Sequence, residues 1–177
     1  KCFETLAEWS NFVTPQVIDT ALVLDLVRQK NGLNKLTELN KTLAPLLSLQ
    51  FSENQILALC YHSNNTLILS TIIENYNLLR QYLQHNEIYK LFCDDNHAAD
   101  KVLLFLKIHK RFINLGIEKD MIKNILIDKS LFWVFNFFKT NSALLNNLKL
   151  LVKPEIEFTN FINNWVNYMI LNRHSMT

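Results

Sequence analysis

The sequence predicts an all-α fold of antiparallel helical hairpins, arranged either as a short degenerate helical-repeat (solenoid-like) stack or as a compact irregular helical bundle. Three observations carry that expectation. Only two Gly and three Pro occur in 177 residues, which leaves few positions for the positive-φ turns that β-hairpins prefer. Apolar residues recur with the 3.6-residue period of a helix rather than alternating. Ser, Thr and Asn precede those periodic runs where N-caps belong.

Taken in order, Thr14-Pro15 reads as N-cap and first residue of a helix that ends at Gly32. A second helix covers about residues 34–47 and is expected to be disturbed at Pro45, because an interior proline removes an amide donor. The clearest local grammar is FSENQILALCYHSNNTLILSTIIENYNLLRQYLQ, residues 51–84. Ser52 and Gln55 make an S-x-x-Q capping box, with Phe51 and Ile56 placed for a hydrophobic staple. That short helix should end near Tyr61, in a turn where Asn replaces the usual glycine. Thr66 then caps a longer helix bearing Leu69, Ile72, Ile73, Tyr76, Leu79 and Leu83.

The short–long unit recurs. Asn86 caps a short helix through Ile88, Leu91 and Phe92, and a long helix runs from His97 to Leu115, closed by Gly116 at C′. A third short helix surrounds Met121, Ile122 and Ile125, breaks at Asp128-Lys129-Ser130, and precedes a helix from Leu131. After Pro154, the side chains of Phe158, Phe161, Ile162, Trp165 and Met169 are expected on one helical face. Ile56, Ile88 and Ile122 are matching anchors 32 and 34 residues apart, the spacing of helical-hairpin repeats. Roughly nine helices result.

A chain of this size buries roughly 70% of the surface it exposes when unfolded, so it needs no disulfide or metal to fold. One all-helical domain over residues 1–177 is expected, and a start at Lys1 reads as a module excised from a longer protein. The 22 Asn, with abundant Ile, Lys and Phe, are the composition of an A+T-rich genome. Charge is uneven: residues 1–100 carry 7 Lys/Arg against 11 Asp/Glu, and residues 101–153 carry 10 against 3. Cys2, Cys60 and Cys93 are odd in number and lack a C-x-x-C pair, which reads as reduced thiols in a reducing cytoplasm. No apolar run reaches the 18 or so residues of a membrane span.

The run Ser130-Leu-Phe-Trp-Val-Phe-Asn-Phe-Phe-Lys139 places five aromatic rings in seven positions. As a helix it is apolar almost all round, the mark of burial by several neighbours. Phe132 differs: it projects into the polar wedge of Lys129, Asn136 and Lys139, the pattern of a docking anchor with a polar rim. A second candidate surface is basic. Lys107, Lys110, Arg111 and Asn114 form a stripe about 100° wide, followed by Lys119 and Lys123 at i,i+4. Such a face suits nucleic acid, anionic lipid headgroups or an acidic protein.

Chemistry finds little foothold. There is no Gly-rich phosphate loop, G-x-S-x-G or H-E-x-x-H. Cys60 with His62, or Cys93 with His97, could make a Cys–His pair. The same four residues form a nominal zinc set, but their spacing matches no usual finger. No catalytic residue, metal or cofactor is assigned. Residues 51–81 resemble one repeat of the transcription activator-like effectors, in length, capped start, Gln55, Ala58, His62, Leu69 and Thr71. The turn is Asn64-Asn65-Thr66 where that family has two glycines and a lysine, so the resemblance implies a helical hairpin and no function is carried over.

The expected function is therefore a non-catalytic helical module that binds another protein. Its composition suggests a domain of a bacterial effector acting in a host cytosol. The alternative is nucleic-acid or anionic-lipid binding through the basic face of residues 107–123.

Overall fold

The computed structural model describes residues 20–152 and 155–172. Among the described residues the protein is all-α, with no strand. The helices are α1 Thr20–Arg28, α2 Gly32–Ser48, α3 Glu53–Cys60, α4 Asn65–Leu79 and α5 His85–Asp94. They continue as α6 Ala98–Asn114, α7 Lys119–Ile127, a 3₁₀ turn Lys129–Leu131, α8 Phe132–Thr140, α9 Ser142–Leu151 and α10 Glu155–Leu171. The Thr14-Pro15 cap lies outside the described residues.

A repeat is plain in this order. The long helices α2, α4 and α6 begin 33 residues apart, and α8 begins 34 further on. Short helices α3, α5 and α7 fill the intervals. The anchors Ile56, Ile88 and Ile122 are each the fourth residue of a short helix. Their amides donate to the carbonyls of Ser52, Gln84 and Glu118 at 3.0, 3.0 and 3.1 Å, and all three side chains are buried.

The predicted capping box is present on α3: the Gln55 amide donates to Ser52 Oγ and the Ser52 amide to Gln55 Oε1. Two other caps differ from expectation. The Gln84 amide donates to Glu87 Oε2 at 2.8 Å, so α5 starts at His85 and Asn86 is already helical. Likewise the Asn64 carbonyl accepts from the Ile68 amide, so Thr66 lies inside α4 instead of capping it.

Helix ends show where glycine is and is not needed. Gly116, at φ +72°, closes α6 as predicted: its amide reaches the Ile113 carbonyl and the Ile117 amide reaches that of Phe112, the paired bonds of a Schellman motif. Gly32 does not end a helix. Asn31 takes the left-handed conformation at φ 61°, and Gly32 opens α2 where a Cβ would sit 2.3 Å from the Val27 carbonyl oxygen. Close backbone approach, not a turn, demands this glycine. Pro45 lies in the last turn of α2 without breaking it, since α2 runs on to Ser48. The end is made by Gln50, at φ 69°, with the Phe51 amide donating to the Leu46 carbonyl.

The described residues gather into two compact units. In the first, running to Asn77 and including Phe92–Asn96, α1 and α3 pack on α2 around Leu26, Leu36, Leu39, Leu46, Ile56 and Leu59, all fully buried. In the second, Leu78–Leu91 and His97 onward, α8 packs on α6 and α10 returns to α7 and α9. Its centre is aromatic: Phe105, Phe112, Phe135, Phe138 and Phe158 have no exposed surface.

Among the described residues two lysines are buried, one in each unit. Lys35 and Lys101 are each the fourth residue of a long helix, 8% and 0% exposed. Lys35 Nζ donates to the carbonyl of Tyr61, which caps α3, at 2.8 Å. Lys101 Nζ donates to that of Asp128, which caps α7, at 2.6 Å. Each ammonium thus meets the negative end of the next short helix, a favourable pairing with its dipole.

Candidate functional site

The 3₁₀ turn before the aromatic run is capped by Asp128, whose Oδ1 accepts from the Ser130 amide and hydroxyl at 2.9 and 2.6 Å. α8 then turns Val134, Phe135 and Phe138 inward, fully buried. Phe135 lies 5.6 Å from Phe105 and 5.8 Å from Phe112, and Phe138 meets Phe112 edge-on at 4.7 Å. Phe137 and Phe138 reach Trp165 of α10 at 4.8 and 5.8 Å. Two of the five rings, Phe135 and Phe138, are core, and Trp133 and Phe137 are half-buried. Phe132 is half-buried, while Lys129, Asn136 and Lys139 around it are exposed.

The basic residues fall into two groups. Lys107, Lys110 and Lys119 are exposed and make no ion pair among the described residues. Arg111 Nη1 donates to the Phe138 carbonyl at 2.9 Å, and Lys123 pairs with Glu87 at 2.7 Å. The Glu87 carboxyl is held below the usual carboxylate range, first by the Gln84 amide and then by Lys123. Beside Lys110, His109 shares a 2.7 Å hydrogen bond with the Tyr82 hydroxyl. Burial, and secondly the Lys110 charge, lowers the His109 pKa.

Sequence reasoning missed two features. The first is the buried lysines, although the signal was present: Lys101 precedes Phe105, Ile108 and Phe112 at i+4, i+7 and i+11, on the apolar seam. Lys35 precedes Leu39, Thr42 and Leu46 in the same register. The second is an outward apolar face on α10. Phe161, expected on the inner face with Phe158, Ile162 and Met169, is 52% exposed; at 100° per residue it lies about 60° from Phe158, enough to leave the seam. Ile156, Tyr168 and Leu171 are exposed with it, all within an arc of roughly 140°.

Burial pushes the Cys60 thiol up to about 12, against the opposing charge of Lys35. A thiol so placed is protonated at neutral pH and is a poor nucleophile. No three His, Cys, Asp or Glu among the described residues gather to hold a metal ion, and no described helix is long and apolar enough to cross a membrane. The class these features define is an all-α chain of packed helices, as a compact bundle requires. No family model, curated protein or solved structure matches it.

Proposed function

We propose that the chain is a non-catalytic helical protein–protein interaction module. The observation that supports this reading is the outward face of α10, where Ile156, Phe161, Tyr168 and Leu171 are 67%, 52%, 57% and 71% exposed. The two half-exposed rings leave on the order of 200 Å² of mostly apolar surface in water. A standard interface buries about 800 Å² on each partner. Glu157, Asn160, Asn164 and Asn167 are exposed within the same arc, interleaved with the apolar side chains, and Leu144, Leu150 and Leu151 of α9 are exposed as well. Its composition attaches the module to a bacterial effector acting inside a host cell.

The basic alternative retains three unengaged cations, Lys107, Lys110 and Lys119, of the five assigned to it. Affinity capture from lysate separates the two readings. Wild type is compared with Ile156→Glu/Leu171→Glu and with Lys107→Ala/Lys110→Ala, with and without nuclease, at about 50 and 200 mM salt, where phosphate contacts lose most of their affinity. The expected result is a protein held at both salts, indifferent to nuclease and lost with the α10 double variant. Capture abolished by nuclease or by the lysine variant, and unchanged by the α10 variant, overturns the proposal in favour of an anionic partner.

A further inference from the structure

The sequence contains a single Asn-Gly step, Asn31-Gly32. Glycine leaves the amide nitrogen after an asparagine less hindered than any other residue does, because it has no Cβ and turns freely about φ. That nitrogen is able to attack the asparagine's own side-chain amide. The bond from Gly32 N to Asn31 Cγ forms and the Cγ–Nδ2 bond breaks, with the amide proton leaving on ammonia. Water then opens the five-membered imide at either carbonyl. One opening gives aspartate. The other gives isoaspartate, in which the chain runs through the former side chain and is one methylene longer.

Asn31 is exposed, so water reaches it. What the fold withholds is geometry, at three points. Asn31 is held at φ 61° and ψ 26°. At that ψ the Gly32 nitrogen stands nearly opposite Asn31 Cβ across the Cα–C bond, whereas ring closure needs the two on the same side. The Gly32 amide donates to the Gln29 carbonyl at 2.9 Å, which engages the proton that must leave. The Asn31 carbonyl accepts from the Lys35 amide at 3.1 Å, the first bond of α2, and turning ψ far enough to close the ring swings that carbonyl away. Closure therefore requires the α1–α2 turn to come apart.

The two products differ in what they permit afterwards. Aspartate keeps the chain length, tolerates left-handed backbone and is a preferred residue at a helix N-cap. Isoaspartate lengthens the chain immediately before Gly32, where the backbone is packed so closely that one added carbon on Gly32 would sit 2.3 Å from the Val27 carbonyl oxygen. There is no slack there for a methylene. We propose that Asn31-Gly32 is a self-modification site silenced by the fold. It reacts with water as co-reactant when the α1–α2 turn opens locally, and its isoaspartyl product does not close the turn again, so the modification records the opening permanently.

The test incubates the whole chain at mildly alkaline pH, in buffer and in urea above its unfolding transition. Mass spectrometry follows the tryptic peptide Asn31–Lys35, which also holds Asn34 as an internal comparison. Expected is conversion of Asn31 ahead of Asn34 in urea, and at least tenfold slower conversion of Asn31 in buffer. Protein aged in urea is then returned to buffer, and the refolded fraction is recovered by gel filtration. It should be depleted of isoaspartate at position 31 relative to the aged material, and not of aspartate. The variant Asn31→Asp should accordingly unfold at or near the wild-type temperature. Equal rates in buffer and urea overturn the proposal, because the fold then silences nothing. Asn34 reacting first in urea overturns it too, as does isoaspartate retained undiminished in the refolded fraction or an Asn31→Asp variant that fails to fold.

Discussion

Asn163→Asp isolates one atom pair in the second unit. Asn163, on α10, is 6% exposed. Its Nδ2 donates to the Gly116 carbonyl at 3.0 Å, and its Oδ1 accepts from the Glu118 amide at 3.1 Å. Both partners belong to the turn between α6 and α7, so a single side chain fixes that turn to α10. Aspartate keeps the size and the acceptor but sets a second oxygen against the Gly116 carbonyl. Ionised, it leaves that carbonyl without a donor and buries a charge beside it. An unsatisfied buried group costs about 1–3 kcal/mol, more where charge is involved, so a loss of about 3 kcal/mol is expected at pH 7. Protonation restores a donor. The neutral form is therefore favoured in the fold, and the folded pKa of the new carboxyl rises above its unfolded value of about 3.9. Relative to wild type the penalty is small below about pH 4, grows as pH rises from there, and is complete above the folded pKa. Urea unfolding of both proteins between pH 4 and 8 reads this directly, because all other titrations are common to the two. Asn163→Leu cannot titrate and should lose about 2 kcal/mol throughout, from the orphaned carbonyl and amide. An Asn163→Asp penalty that does not vary with pH would refute the reasoning.

Phe135→Ala should cost about 3–5 kcal/mol in chemical denaturation, the range for emptying a full aromatic site. Half-buried Phe132→Ala should cost only about 1 kcal/mol; equal losses would mean that Phe132 is core. Gly32→Ala places a methyl 2.3 and 2.4 Å from the carbonyl oxygens of Val27 and Leu26, backbone atoms that cannot swing aside. A loss of about 2–3 kcal/mol, or roughly 5–10 °C in thermal melts, is expected, and an unchanged melting temperature would contradict it. Glu87 has a depressed folded pKa, so its contribution is present above its unfolded value of about 4.3 and is lost as pH falls through the folded one. Urea midpoints from pH 3 to 6 should accordingly fall less steeply in Glu87→Gln than in wild type, by a modest margin because the pair is solvated.

The helical class, the short–long alternation and the three isoleucine anchors were legible because each is written locally, in caps and in the 3.6-residue period. The Ser52–Gln55 box and the Gly116 C-cap appear as read. What was illegible has a common cause. Asn31 and Gln50 take left-handed backbone that glycine usually signals, so the ends of the α1–α2 and α2–α3 turns carried no punctuation. The α5 cap is Gln84 because Glu87 reaches back to its amide, a bond that favours that residue over the better N-cap, Asn86. Phe161 follows its own helix period outward; whether a ring on the margin of an apolar stripe is covered depends on where neighbouring helices lie, which local pattern does not contain.

Glycine scarcity accounts for a part of the charge asymmetry. A helix leaves four C-terminal carbonyls without intrahelical donors, and a glycine C-cap is the usual way to turn the chain so that backbone amides serve them. With two glycines available, side chains do much of this instead. Lys35 donates to the end of α3, Lys101 to that of α7 and Arg111 to the Phe138 carbonyl of α8, while Lys149 adds a bond to the Asn114 carbonyl at the end of α6 that Gly116 already closes. Asn141 and Asn172 serve Phe137 and Tyr168 in the same manner. Three of these cations, with Lys123 in its pair with Glu87, belong to the ten that make residues 101–153 basic. At least four of the ten are thus engaged among the described residues, and those at a helix C-terminus are favoured there whatever the partner. Within the positive segment Lys101 and Arg111 are cations that cap helix ends without glycine, and its unengaged members, Lys107, Lys110 and Lys119 among them, are the evidence about what the surface meets.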